Sequence, residues 1–145
     1  MAELQVPRDQ RSLVIHTSAT ARGNPGEAGI GVVLFDPQGH VVEEFGRFIG
    51  TTTEHVAEYS ALIEALRAAA GLGAKEVQVH AGSELVVRQV SGAQEVRQGG
   101  LQPLLVEVRR LLLHFQRWSV QILPHDAVKR PDDLANMSID RQRNK

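Results

Sequence analysis

Ile15-His16-Thr17-Ser18-Ala19-Thr20-Ala21-Arg22-Gly23-Asn24-Pro25-Gly26 is the stretch whose reading decides the fold. Leu13-Val14-Ile15 opens a β-branched strand, and Gly23-Asn24-Pro25-Gly26 stops it with residues that favour turns over ladders. Two further strands follow. Gly29-Ile30-Gly31-Val32-Val33-Leu34-Phe35 and Val41-Val42-Glu43-Glu44-Phe45 flank Asp36-Pro37-Gln38-Gly39, which has Pro and Gly where a tight hairpin turn needs them. The chain therefore begins as three antiparallel strands.

Beyond them the period changes from two to that of a helix. Tyr59, Leu62, Ile63, Leu66, Ala69 and Ala70 recur at helical spacing, and Gly71 and Gly73 supply a stop. Glu76 to His80 reads as a short strand, Ser83 as the N-cap of a helix and Gly92 as its end. Leu101, Leu104, Leu105, Val108, Leu111, Leu112 and Phe115 trace another helix stripe of more than three turns. Trp118 to Leu123 is the last strand, and Pro131 suits the first residue of a final helix through Asp132 and Leu134. The order β-β-β-α-β-α-α-β-α predicts an α/β fold: a five-stranded mixed sheet, three antiparallel strands and then two parallel, flanked by helices.

With 145 residues, 42% of them hydrophobic, the chain suits one globular domain. We place it at residues 11–140, between a flexible N-terminal arm at 1–10 and a basic C-terminal tail at 141–145. Cysteine is absent, which excludes disulfides and thiolate metal sites. Met1-Ala2-Glu3-Leu4 begins no leader, and no apolar run approaches the ~20 residues a membrane span requires, so the expected location is cytoplasmic, away from membranes. Sixteen basic residues against 17 acidic give a net charge of −1, a poor footprint for neutralising phosphates. Nucleic-acid binding is expected to be local or weak. Arg109-Arg110 and the tail from Arg141 to Lys145 read as solvated surface.

Four segments together resemble type 1 ribonuclease H. Ile15–Gly26 is similar to that family's I-Y-T-D-G-x-x-R-G-N-P-G, and Thr53-Glu54-His55-Val56-Ala57-Glu58-Tyr59-Ser60-Ala61-Leu62 to its T-N-N/Q-x-A-E-Y-x-A-L. Val79-His80-Ala81-Gly82-Ser83-Glu84-Leu85-Val86-Val87 is similar to V-x-S-D-S-E-L-V-V, and Pro131-Asp132-Asp133-Leu134-Ala135-Asn136 to A-D-x-L-A-N. The resemblance covers nearly all of residues 11–140 and implies the ribonuclease H-like fold with four catalytic acids. Two acids stand, Glu58 and Asp132. The other two slots hold Ser18 and Gly82.

The chemistry that the resemblance implies uses two divalent ions, Mg²⁺ or Mn²⁺, about 4 Å apart and held by carboxylates. Ser18 has no ionised oxygen to bridge them, and Gly82 has no side chain. Four negative charges become two, so two-metal occupancy is not expected, and Glu58 and Asp132 are left to hold one weakly bound ion at best. Both also have ordinary structural roles open to them: Glu58 borders a helix's core face, and Asp132 sits in a helix first turn, where the dipole favours a carboxylate.

Substrate contacts implied by the resemblance fall on Arg22, Gly23, Asn24, Thr53, His55 and Arg97. Asn24 lies in the loop that approaches the minor groove of a hybrid in the family, although a turn kept for the fold would look the same. Glu54-His55 replaces the family's Asn pair and brings an anion toward the phosphates. Gly92-Ala93-Gln94-Glu95-Val96-Arg97 stands where the family often has Gly-x-Tyr-Lys-Val-Lys, so a ring is lost and only Arg97 keeps its sign. Val128 replaces an Asn, and His125 occupies the loop position that helps product leave, or is a surface histidine.

Side chains two apart on a strand face the same way, so His16 shares the face of Ser18 and His80 that of Gly82. In the resembled fold the strands are neighbours, which puts two imidazoles beneath the vacated site, near Glu58. They suit Zn²⁺ or another transition ion, or else fill the core and bond to each other or to Glu58. The leading expectation is a ribonuclease H-like protein that is catalytically inactive or severely impaired, kept for weak binding of RNA/DNA hybrid or of a protein partner. The alternatives are an active hybrid endoribonuclease with an altered metal site and a structural or oligomerising module, the latter suggested by the near-neutral charge.

Overall fold

The computed structural model describes residues 12–145, so the arm assigned to residues 1–10 lies outside the described residues. Strands β1 (Ser12–Gly23), β2 (Gly26–Phe35) and β3 (Val41–Thr52) precede helix α1 (Glu54–Gly71), strand β4 (Glu76–Ala81) and helix α2 (Glu84–Ser91). Helix α3 (Gln102–Leu112), strand β5 (Arg117–Ile122) and helix α4 (Lys129–Arg143) complete the chain. The sheet order is β3-β2-β1-β4-β5, with the first three strands antiparallel and β1, β4 and β5 parallel. This is the expected architecture. Among the described residues no helix is long and apolar enough to cross a membrane.

Several boundaries differ from the sequence reading, those of β3 and α4 the most. Strand β3 runs on to Thr52 because Gly46 and Gly50, which interrupt the apolar alternation, still ladder with β2 across a register shift. Helix α4 begins at Lys129 rather than Pro131, whose missing N–H falls in a first turn where no intrahelical partner is needed. The same helix continues to Arg143, so most of the expected tail is helical, and Arg143 pairs with Glu27 at 2.7 Å.

One face of the sheet carries α1, α2 and α3. Leu13 and Ile15 of β1, Val32 and Leu34 of β2 and Val79 of β4 meet Tyr59, Leu62 and Leu66 of α1, Val86 of α2 and Val108 of α3. Each fully buried side chain of this kind contributes about 1.5–3 kcal/mol. The polar atoms inside are answered: Tyr59 donates to Gln89 Oε1 at 2.6 Å, and burial pushes the phenol up to about 12 against the opposing charge of Arg109. Thr53 and Ser83 cap α1 and α2 by accepting from the N–H groups of Val56 and Val86, and Gly92 ends α2 at φ 84°.

Among the described residues the opposite face of β1–β3 carries α4 alone, and the contact is backbone on backbone. A Cβ on Gly31 would stand 1.8 Å from the Pro131 carbonyl oxygen, one on Gly46 2.2 Å from that of Leu134, and one on Gly29 2.3 Å from Ser138 Oγ. Gly31 and Gly46 are ladder partners, so they form a flat floor under the helix. Arg22–Asp140 at 2.8 Å, Arg130–Glu44 at 2.5 Å and Arg143–Glu27 clamp its sides.

The hairpin between β2 and β3 is tied by Asp36, which accepts from the N–H groups of Gln38 and His40 at 2.9 Å and meets His40 Nδ1 at 3.1 Å. Burial alone would raise this carboxyl, but the bonds from His40 and Gln38 outweigh it and hold the value below the usual range. Glu44 and Asp140 are lowered as well, by hydrogen bonds from Arg130 and Arg22. A carboxyl whose folded value lies below its unfolded one stabilises fully above the unfolded value, and that contribution is lost as pH falls through the folded one. Urea melts are expected to show stability falling below about pH 4, with Asp36→Asn flattening part of that slope. An unchanged midpoint between pH 7 and pH 3 would contradict this.

Candidate functional site

The glycine floor positions Asp132. With α4 seated on β2 and β3, Asp132 in its first turn reaches β1, where the buried Ser18 donates its hydroxyl proton to Asp132 Oδ1 at 3.0 Å. Asn136, one turn later, braces the arrangement: its Nδ2 donates to the Asp132 carbonyl at 3.1 Å, and its Oδ1 accepts from Arg22 at 3.2 Å. Asn136 was not among the residues expected here, although its place at the end of Leu134-Ala135-Asn136 was the available signal.

Glu58 approaches from α1 and meets His55 Nδ1 at 2.8 Å, one turn earlier on the helix. A small cleft of about 30 Å³, room for a water molecule or two, lies between Glu58, Ser18, Gly82 and Ser83. Asp132 is not on its wall. Ser18 thus stands between the two retained acids, lining the cleft of one and bonded to the other. Gly82 follows β4, and its N–H donates to the Thr17 carbonyl at 3.0 Å. Its φ is not in the left-handed region, and a Cβ there would meet Thr17 O at 3.3 Å, so the β1 backbone must give by a few tenths of an ångström to admit one. No positive φ requires glycine at this position.

These residues do not fit a pair of divalent ions. Among the described residues no group of three or more His, Asp or Glu side chains converges to hold a metal. The central position offers a hydroxyl whose proton already goes to Asp132, where a bridging ligand needs a charged oxygen facing both ions.

Several expected substrate contacts are occupied within the fold. Arg22 bonds to Asp140 at 2.8 Å and to Asn136. Asn24 Oδ1 accepts from the N–H of Glu54 at 3.1 Å, and Thr53 Oγ1 from that of Val56 at 3.3 Å. The leading donors of α1 are therefore capped, and Glu54 adds negative charge beside them. Gly23 serves the turn, at φ 118° with a would-be Cβ 2.9 Å from Pro25 O. His55 is held by Glu58, whereas Arg97, on the loop after α2, and His125, in a short 3₁₀ turn before α4, are exposed.

The structure brings His16 and His80 together but not beside Glu58. They are ladder partners on β1 and β4, with ring centroids 5.4 Å apart at 74°. Alternation explains the correction: Leu13 and Ile15 point toward α1, so His16 points the other way, against Phe35 at 4.8 Å and into an open cavity beside Ala127 and Pro131. Glu58 bonds to His55 instead. Burial, and then the nearby His80, hold His16 below the usual imidazole value. Nδ1 of His80 is buried with no hydrogen-bond partner among the described residues.

A family model described as reverse transcriptase-like matches residues 16–138. The chain is 41% identical over 120 residues to ribonuclease HI of Halobacterium salinarum, across 83% of this chain and 60% of that protein. The crystal structure of RNase H1 from that archaeon superposes with a TM-score of 0.87 at 38% identity, covering 90% of this chain and 98% of that one. LC11-RNase H1, solved in complex with RNA/DNA hybrid, gives 0.85 at 37% identity, covering 90% and 98%. The chain spans 60% of the length of the halobacterial protein. These matches lend no support to the expectation that the chain is not an enzyme; that expectation rests on Ser18 and Gly82.

Proposed function

The chain belongs to the type 1 ribonuclease H-like superfamily, and from that membership we propose that it binds RNA/DNA hybrid without hydrolysing it by the two-ion route. The observation that carries this reading is the Ser18–Asp132 hydrogen bond, which puts a hydroxyl where two ions would need a shared carboxylate. A divalent ion, Mg²⁺ or Mn²⁺, would find Glu58 as its charged ligand in the cleft. A second reading, hydrolysis at an altered metal site, is favoured by the names of the relatives.

Binding is expected to be weak, with Kd in the nonspecific range of about 10⁻⁴–10⁻⁶ M, because Arg22 is engaged by Asp140 while Glu54 opposes phosphate. Fluorescence anisotropy of a labelled hybrid across a salt series tests this. A shallow log–log slope on the order of −2 is expected, falling by about one in Arg97→Ala. Tight binding indifferent to salt would contradict the charge argument, and no binding at all would favour a module for a protein partner.

A further inference from the structure

We propose that β5 pairs edge to edge with β5 of a second copy of this chain, antiparallel and centred on Val120, joining the two sheets into one. β5 is the outermost strand on its side of the sheet. The N–H groups of Arg117 and Leu123 donate inward, to the carbonyls of Lys75 and Ala81, so by the alternation of a ladder those of Trp118, Val120 and Ile122 turn outward. Among the described residues no backbone group answers them. The other edge, β3, has register shifts against β2 and carries Glu43, Glu44 and Arg47, the usual defences of an exposed strand. β5 has neither: its register with β4 is unbroken, and Arg117 is its single charge.

The edge is self-complementary in that register. Centring on Val120 sets Trp118 opposite Ile122 of the second copy and Val120 opposite its counterpart, each pair exchanging both backbone bonds. Trp118 and Ile122 stand on one face of the strand, that of their ladder partners Val77 and Ala81, and they remain 45% and 48% exposed on either side of the partly buried Val120. The pairing lays an indole against a branched aliphatic side chain at both ends, a cross-strand contact that stabilises sheets. Charge permits the approach. Arg117 has Glu76 as its ladder partner on β4, and in this register the two Arg117 residues lie roughly 20 Å apart, beyond the ~8 Å Debye length of physiological salt. A net charge of −1 adds little repulsion between copies. An edge of 6 residues buries less than a standard interface, so the dimer is weak and forms at high concentration.

Sedimentation velocity of the full chain, from about 5 to about 500 µM, tests the proposal across the range in which a weak dimer populates. The weight-average sedimentation coefficient should rise toward that of a dimer, and Val120→Pro and Ile122→Lys should hold it at the monomer value. Proline suits position 120 because the N–H it removes faces outward and serves no bond to β4. Val106→Lys, at an exposed apolar residue of α3, should leave the self-association unchanged. A monomer at every concentration, or a dimer that persists in Val120→Pro, overturns the proposal. Should Val120→Pro fail to fold, amide hydrogen exchange in the unmodified chain decides. Protection of the Trp118, Val120 and Ile122 amides that rises with protein concentration supports the pairing, and exchange there that ignores concentration overturns it.

Discussion

Gly31→Ala is expected to destabilise the protein by about 3 kcal/mol or more, the upper part of the range for overpacking, and to lower Tm by roughly 10 °C. The added methyl would stand 1.8 Å from the Pro131 carbonyl oxygen, which belongs to helix backbone rather than to a flexible side chain, so α4 itself must move. Movement there displaces Asp132 from Ser18, because the two meet only while the first turn of α4 is seated. Gly71→Ala is the control. Gly71 ends α1 with open space around its would-be Cβ and no positive φ, so the change should be neutral or stabilise by about 0.4–1 kcal/mol. Thermal and urea unfolding of both variants provide the comparison, and a Gly31→Ala protein as stable as the parent would refute the seating of α4.

The second large effect is expected from restoring both acids, Ser18→Asp with Gly82→Asp. A carboxylate at position 18 would face Asp132 across what is now a 3.0 Å hydrogen bond, and two like charges ~4 Å apart repel by up to about 4 kcal/mol at an effective dielectric of 20. The metal-free double variant should therefore melt well below the parent. Divalent ions should reverse this, since a ligand at 100 times its Kd stabilises by about 2.7 kcal/mol. Position 82 lies on the wall of the cleft, and the new acid reaches it once Thr17 O gives by a few tenths of an ångström. Activity should return only in part. Glu54 and His55 still stand where the resemblance places the hybrid, and misplacement on the order of 1 Å costs ~10²-fold in rate. Mg²⁺ affinity no higher than the parent's would show that positions 18 and 82 are not the vacated acid positions. Full family-like turnover would show that the substrate surface was never eroded.

Much of the architecture was legible because it is written in local patterns. The turn at Gly23–Gly26, the cap at Ser83, the stop at Gly92 and the stripe from Tyr59 to Ala70 each depend on a few neighbouring residues, and each lies where its pattern put it. The residues at the four acid positions were legible through the resemblance. What those residues touch was not. Ser18 meets Asp132 across 114 positions of sequence, a contact created only when α4 docks on Gly29, Gly31 and Gly46. Gly46, with Gly50 beyond it, interrupts the apolar alternation, and for that reason the sequence reading ends β3 at Phe45 rather than at Thr52. Arg22 and Asn24 read as substrate contacts because their motif survives, yet the docked helix and the start of α1 claim their polar atoms. For His16 and His80, the strand order of the resembled fold gave the pairing, but the position of Glu58 depends on how α1 crosses the sheet, which no period of two encodes.

Cleavage of an RNA/DNA hybrid by the unmodified chain, in Mg²⁺ and separately in Mn²⁺, with Glu58→Gln prepared in parallel to reveal contaminating nuclease, tests the central claim most directly. Ser18 and Gly82 predict that the two proteins release the same background amount of product with either ion. Glu58-dependent turnover at rates typical of enzymes, ~1 per second or more, would contradict the account.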